Sequence, residues 1–161
     1  MKHLLKYLLA AAALPLWGQA AAAGPFGQLR GLCEPGKSVL LTAPTVVEGI
    51  VVSDFHSKNM EANPSVSYDK VDVTVNDCTA YLESPDGRYG FRLRFDTPED
   101  NVLARGTRLS LSLSGTVLTR EENPERYTIS SLVGENMVES AAGEAIPVKQ
   151  RRISELTDDD V

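Results

Sequence analysis

The stretch that decides the fold is Thr45-Val46-Val47-Glu48-Gly49-Ile50-Val51-Val52-Ser53-Asp54. Its β-branched residues predict a strand, because such side chains pack well on a pleated, half-buried surface. Gly49 lies in the strand interior, where glycine usually marks a bulge or a sharp bend such as a barrel corner. The polar stretch that follows, residues 54–76, is a long connection of the kind that is usually functional. We therefore expect a bent strand that serves both sides of a small β-barrel.

Alternating segments predict the rest of the sheet. Residues 79–83 and 91–95 flank the turn signal Ser84-Pro85-Asp86-Gly87, in which proline presets φ and glycine accepts a positive φ, so they predict a hairpin. Residues 109–113 alternate leucine with serine, which is the pattern of a half-buried strand. With residues 127–133 as the last strand, the series predicts an all-β fold, a small OB-like barrel of about five strands.

Two shorter elements are also predicted. Apolar side chains at helix-like spacing precede Pro35-Gly36 and predict a short N-terminal helix. These side chains are Phe26, Leu29, Leu32 and Cys33. The alternation in Val71-Asp72-Val73-Thr74-Val75 predicts an extra short strand inside the polar connection.

The first segment has the pattern of a secretory signal peptide. Lys2 and His3 precede an apolar run, residues 4–16, which Lys6 interrupts, and Ala20-Ala21-Ala22-Ala23 provides a small-residue cleavage site. The run is short for a membrane anchor, which needs about 20 apolar residues. We therefore expect an exported protein that is periplasmic, secreted or associated with the cell surface. Its predicted parts are a signal peptide (1–23), an OB-like domain (24–145), and a tail or the start of a following segment (146–161).

The charge of the chain disfavours nucleic acid. The formal net charge is −6, and loss of the predicted signal peptide removes Lys2 and Lys6 and makes the exported chain more acidic. Non-specific binding to phosphates depends on many lysine and arginine contacts, so nucleic acid is an unfavoured partner of this domain alone. A surface glycan or a protein is the expected class of partner, and no transmembrane segment is expected.

The residue patterns of three kinds of active site are incomplete. Gly31-Leu32-Cys33-Glu34-Pro35-Gly36-Lys37-Ser38 has the letters of a phosphate-binding loop, but a β-like run follows it where such a loop requires a helix. His56 has Asp54 and Ser57 nearby in the chain, and closeness in sequence does not make a Ser-His-Asp triad. Zinc ligands at a suitable spacing are missing. We therefore expect no enzymatic activity, no catalytic residue and no resident cofactor.

Calcium is the one metal that the composition leaves open. Residues 54–77 hold many side-chain oxygens of the kind that Ca²⁺ prefers, and they match no EF-hand pattern. These side chains are Asp54, Asn59, Glu61, Asn63, Asp69, Asp72, Asn76 and Asp77. A solvated polar loop is the simpler explanation.

A ligand-binding surface is predicted around the hairpin. OB barrels bind ligands on the face of their second and third strands and on the loops that join strands 1–2 and 4–5. In this chain the candidate binding residues of that surface are His56, Asn59, Tyr89, Arg92 and Arg94. The two arginines are expected to face outward and suit a phosphate, a carboxylate or a sugar. The alternative is a strand face that charge keeps soluble.

The two cysteines leave a disulfide open. Cys33 and Cys78 both follow the predicted cleavage site, and export permits a bond between them. Their even number favours the bond, but the sequence carries no information on the distance between them. Two separate buried thiols are the alternative.

Several of these segments together resemble a known family. They are Val47-Glu48-Gly49-Ile50-Val51-Val52-Ser53-Asp54, Val75-Asn76-Asp77-Cys78-Thr79-Ala80-Tyr81-Leu82-Glu83 and Asp86-Gly87-Arg88-Tyr89-Gly90-Phe91-Arg92-Leu93-Arg94-Phe95. They resemble the DUF5689 family of exported Bacteroidetes proteins, a domain of unknown function. The resemblance covers residues 27–161 and implies an OB-like fold, a cell-surface or secreted location, no established catalytic residue and further β-rich sequence after residue 156. Cys78 and the missing lipid-attachment cysteine depart from the family pattern.

Three functions from different classes follow. The first is a non-catalytic, exported binding or interaction module of the cell surface, with an unknown ligand. The second is an accessory OB-like domain of an extracellular nuclease or polysaccharide-degrading system. The third is a structural spacer without a ligand. A ligand-specific thermal shift separates the first from the third, and a catalytic sequence in the same or a neighbouring gene indicates the second.

Overall fold

The computed structural model describes residues 25–57, 73–143, 145–146 and 154. The predicted signal peptide (1–23), most of the predicted tail (146–161) and Asn59 lie outside the described residues. Within the described ranges the protein is mostly β-sheet with few helices, so the all-β prediction is confirmed. No helix in these ranges has the length and hydrophobicity that a bilayer crossing needs.

The described part of the chain contains two short helices and eight strands. The helices are α1 (Pro25–Arg30) and α2 (Val73–Asp77). The strands are β1 (Ser38–Leu40), β2 (Val46–Val51), β3 (Thr79–Glu83), β4 (Gly90–Phe95), β5 (Arg108–Ser112), β6 (Val117–Glu121), β7 (Arg126–Leu132) and β8 (Met137–Ala141). Single 3-10 turns lie at Phe55–Ser57, Pro98–Asp100 and Gly134–Asn136.

The eight strands form one sheet in the order β1-β6-β7-β4-β3-β2-β5-β8. Neighbouring strands are antiparallel except β4 and β7, which run parallel. The predicted number of five strands is corrected to eight, because β1, β6 and β8 also pair with neighbours. Strand β6 follows a turn at Gly115, which has a φ of +85°. Strand β8 lies at an edge and is largely exposed, so burial leaves no alternating pattern in it.

Strand β2 confirms the predicted strand. Its main pairing partner in the sheet changes next to Gly49. Residues 46–50 pair with β5, and residues 50–51 pair with β3. A Cβ atom at Gly49 would lie 2.7 Å from both the Glu83 carbonyl oxygen and Leu82 Cγ. Glycine is therefore required here because the backbone of β2 approaches β3 more closely than a side chain permits.

One hydrophobic core joins the strands and α1. Alternate residues of β4 and β5 are buried, and Leu82 of β3 and Ile129 of β7 are also fully buried. The short N-terminal helix is confirmed as α1, and its Phe26 ring lies 5.1 Å from the Phe91 ring. The burial of these apolar side chains is the main stabilising contribution to the fold.

One local prediction is changed by the structure, and the rejection of a phosphate-binding loop agrees with it. Residues 73–77 form α2 instead of the predicted short strand. The buried Asn76 donates from Nδ2 to the Phe55 carbonyl oxygen, so a tertiary contact holds this helix in place. Around residues 31–38 a helix precedes the loop and β1 follows it, which is the reverse of the order that phosphate binding requires.

Candidate ligand-binding face

A row of polar side chains crosses five neighbouring strands. Tyr81 of β3 is in register with Arg92 of β4, and Arg92 is in register with Thr128 of β7. The register continues through Thr119 of β6 to Ser38 of β1. Register partners point to the same side of a sheet, so these five residues share the face opposite the core. We call this row and the surface around it the Tyr81 face.

Arg92 is held in one position by its neighbours on this face. Its Nε atom donates to Thr128 Oγ1 at 3.0 Å, and its guanidinium donates to Glu121 Oε1 at 2.5 Å. The Arg92 side chain is 11 % exposed. A second cation, Arg126, lies 3.9 Å from the other oxygen of Glu121. The charge of Arg92 is therefore balanced within the sheet, and its orientation is fixed before any ligand arrives.

Arg94 connects the sheet to α2. It donates to Thr79 Oγ1 at 2.7 Å and to the Val75 carbonyl oxygen at 3.3 Å. The predicted outward direction of both arginines is correct in that they face away from the core, but both side chains have intramolecular partners. Their role in binding a ligand stays a prediction.

A cavity of about 320 Å³ lies beside Tyr81. Its lining includes Tyr81 and Glu83 of β3, Gly90 of β4, and Arg88 and Tyr89 of the connection between these strands. Gly90 is paired with Glu83 across the hairpin and contributes no side chain, which leaves this space open. The volume lies at the lower end of the range typical of small-ligand sites.

Tyr89 and His56 lie apart from the arginines. The Tyr89 ring is half-buried and packs near Arg30 of α1, whose guanidinium carbon lies 5.4 Å from the ring centre. His56 is exposed in the 3-10 turn after β2, where its ring stacks on Phe55 at 4.2 Å. The structure therefore brings Arg92 and Arg94 together, places Tyr89 at the end of the same hairpin, and leaves His56 on a separate turn.

The Asp54 carboxylate accepts hydrogen bonds from the 3-10 turn that follows it in the chain. Ser57 Oγ donates to one carboxylate oxygen of Asp54, and the His56 backbone N–H donates to the other, both at 3.1 Å. Desolvation opposes these bonds, but together they lower the pKa of Asp54. The serine hydroxyl bonds to the aspartate and not to the histidine, whereas a hydrolytic triad needs a bond from serine to histidine.

Cys33 and Cys78 are separate buried thiols in this structure, so the bond that the sequence left open is absent. Cys33 donates from Sγ to the Lys37 carbonyl oxygen at 3.1 Å and lies 3.6 Å from the Leu118 carbonyl oxygen. Cys78 precedes β3, and burial raises the pKa of its thiol. Burial and a raised pKa both lower the fraction of reactive thiolate at Cys78.

Only some of the candidate calcium ligands lie in the described part of the chain. Asp54, Asn76 and Asp77 are described, and the amide of Asn76 donates to the Asp77 carboxylate at 2.9 Å. The other five candidate ligands lie outside the described residues. Among the residues that the structure describes, no group of three His, Cys, Asp or Glu side chains is placed to hold a metal ion.

Comparison of the chain with family models, with curated proteins and with solved structures finds no match. The resemblance to the DUF5689 family therefore stays a prediction, and the site has to be interpreted from its own geometry.

The candidate site residues from the sequence leave out five residues of the Tyr81 face, which are Ser38, Tyr81, Thr119, Glu121 and Thr128. Tyr81 was detectable, because it occupies an outward position two residues before Glu83 in a predicted strand. Glu121 and Thr128 were not, because they join the face only through the parallel pairing of β4 with β7.

Proposed function

We propose that this chain is an exported, non-catalytic binding module that holds a neutral glycan on the Tyr81 face. The observation that carries the proposal is Tyr81, which lines a cavity of about 320 Å³ and begins the polar row that continues through Arg92. Export is supported by the signal-peptide pattern of residues 1–23.

A closed OB-type barrel is part of the proposal. Strands β5 and β6 are five positions apart in the sheet order, which corresponds to about 24 Å in a flat sheet. The connection from Ser112 to Val117 spans at most about 18 Å. This short connection supports a curled sheet that brings β6 towards β5, and in the proposed barrel β2, β3, β4 and β7 complete the circuit between them. In that frame the Tyr81 face corresponds to the surface that OB barrels use for oligonucleotides and oligosaccharides.

A neutral glycan fits the chemistry of this face better than an anion. A tyrosine ring offers an apolar surface with a polar tip, which suits the mixed surface of a sugar. Thr119 and Ser38 lie further along the same row, with their hydroxyl groups hydrogen-bonded to each other at 2.8 Å, whereas Thr128 is buried and accepts from Arg92. Arg92 is already paired with Glu121, so little positive charge is left to attract phosphate or carboxylate. The net charge of −6 acts in the same direction.

The test is calorimetric titration of the purified chain with defined probes. The probes are cello-, xylo-, manno- and chito-oligosaccharides, polygalacturonate, and a single-stranded oligothymidylate. We expect binding to at least one neutral oligosaccharide, and a loss of affinity of about tenfold in Tyr81→Ala, the magnitude typical of a central aromatic anchor. Arg108→Ala, which removes an arginine from a different part of the sheet, is the control and should leave affinity unchanged.

Two other outcomes would replace the proposal. Binding of oligothymidylate alone would favour an accessory domain of a nuclease system. Correct folding without binding to any probe would favour a structural spacer.

A further inference from the structure

A second depression lies between α1, β2 and the β3–β4 turn. It has a volume of about 480 Å³, and its lining includes Pro25, Phe26, Val46, Glu48, Pro85 and Asp86. Val46 is 51 % exposed, although it is a large aliphatic side chain on an ordered strand. We call this depression the Val46 groove.

The groove continues across the sheet towards β8. Glu48 also lines a smaller depression of about 230 Å³, together with Arg108, Ser110 and Glu139. Glu48 is in register with Ser110, and Ser110 is in register with Glu139, so the three side chains form a row across β2, β5 and β8. Glu48 therefore joins an apolar end at Val46 to a polar end at Glu139.

Carboxylates predominate along this surface. Glu48, Asp86 and Glu139 line the two depressions, and Arg108 is the one cation in their linings among the described residues. Arg108 pairs with Glu48 at 3.2 Å, and Arg88 lies 3.7 Å from Asp86 outside the linings. Glu139 is exposed at the polar end. The excess of negative charge favours a cationic group there.

We infer that the Val46 groove docks an extended peptide segment of a partner protein, in which a large apolar side chain is followed two residues later by Lys or Arg. Val46 and Glu48 are two residues apart on one face of β2, which corresponds to about 7 Å. An extended peptide repeats at the same distance, so its apolar side chain would contact Val46 while its cation reaches Glu48 and Glu139. Such alternate pockets are the usual source of specificity in the recognition of extended peptides.

The test uses a fluorescein-labelled peptide with the core Ser-Leu-Ser-Lys-Ser and fluorescence anisotropy with the full chain. Two matched peptides replace Lys with Glu or Leu with Ser. We expect the first peptide to bind at least about tenfold more tightly than either matched peptide. Val46→Ser should weaken binding about tenfold, and Glu139→Gln should weaken it about threefold. These are typical losses for an apolar anchor and for a rim charge.

Control variants separate this surface from general effects and from the Tyr81 face. Val102→Ser removes a valine that is 72 % exposed elsewhere, and Glu135→Gln removes an exposed carboxylate from the turn before β8. Both should leave peptide affinity unchanged, as should Tyr81→Ala. The inference is overturned if no peptide binds, if the Glu peptide binds as well as the Lys peptide, or if Val46→Ser has no effect in a folded protein.

Discussion

Gly49 is the residue on which the course of β2 depends. Its inward side has no room for a methyl group, because both Leu82 Cγ and the Glu83 carbonyl oxygen would lie 2.7 Å from it. We expect Gly49→Ala to lower the free energy of unfolding by about 2 kcal/mol, which is within the range for overpacked cores. Urea denaturation followed by fluorescence measures this change.

Gly90→Ala is the matched control for that substitution. A Cβ atom at Gly90 would lie 3.7 Å from the Leu82 carbonyl oxygen, which is an ordinary contact. The two variants change the same residue type in neighbouring parts of the sheet. Equal effects of Gly49→Ala and Gly90→Ala would contradict a specific steric role of Gly49.

The pair of Arg92 and Glu121 should contribute more to stability than an exposed pair. Arg92 is 11 % exposed, whereas Arg108 and Glu48 in the comparison pair are 49 % and 57 % exposed. A double-mutant cycle with alanine should give a coupling of about 1 kcal/mol or more for Arg92 and Glu121. The same cycle for Arg108 and Glu48 should give about 0–0.5 kcal/mol. Coupling energies of similar size would show that the Arg92 pair is screened like a surface pair.

At the scale of elements, one carboxylate links α1 to the sheet in addition to the apolar contact between Phe26 and Phe91. Glu125 lies 3.6 Å from Arg30 of α1 and 2.6 Å from Arg120 of β6, and it accepts a hydrogen bond from the Tyr127 hydroxyl at 3.1 Å. The Arg30 guanidinium also lies 4.2 Å from the centre of the Tyr127 ring. These contacts connect α1 with β6 and β7 at the end of the sheet.

This attachment predicts an acid-sensitive contribution to stability. The Tyr127 hydrogen bond is the largest effect on Glu125, and with the charges of Arg120 and Arg30 it holds the pKa below its ordinary value of 4.5, against desolvation. A carboxyl group with a lowered folded-state pKa stabilises the fold above its unfolded-state pKa, and this contribution is lost as pH falls through the folded-state pKa. Glu125→Gln should therefore be less stable than the wild type at pH 7, and the difference should shrink below pH 4. Thermal melts across this range measure it, and a constant difference at all pH values would contradict the assignment.

Two of the strands predicted from the sequence, β4 and β5, have burial that alternates cleanly. The arginine and serine positions of β4 and β5 alternate with buried residues, so period-2 patterns found both strands. Strand β8 was missed because residues 138–141 are exposed and follow a break in register with β5. Helix α2 was predicted as a strand because its valines alternate, and the contact of Asn76 with Phe55 that favours the helix joins residues distant in the chain.

For the Tyr81 face too, the sequence predicts which side chains of a strand point outward but not which distant residues contact them. Arg92 and Arg94 were found because they lie on the outward side of an alternating strand. Their partners were not predictable, because Glu121 is 29 residues from Arg92 along the chain and meets it only through the sheet. Local patterns identify a strand face, whereas pairing between distant strands decides which side chains are free to bind.

At the scale of the whole molecule, the two thiols report on the fold. Both cysteines are free and buried, and Cys33 belongs to the hydrophobic core cluster whereas Cys78 does not. We expect no reaction of the native protein with a thiol reagent and release of both thiols after unfolding without reductant. A protein in which unfolding exposes no thiol until reductant is added would instead contain the bond between Cys33 and Cys78.

The parallel pairing of β4 with β7 determines when, during folding, a newly made chain assembles the Tyr81 face. The β3–β4 hairpin joins residues that are close in sequence, whereas Leu93 pairs with Ile129 across a long intervening segment. Contacts between residues so distant in sequence form slowly, because the intervening chain must first be ordered. A partly assembled chain can therefore present Tyr81 and Arg92 without Thr128 and Glu121. On the function proposed above, glycan capture would therefore require β4 and β7 to have paired, since the whole row exists only after that pairing.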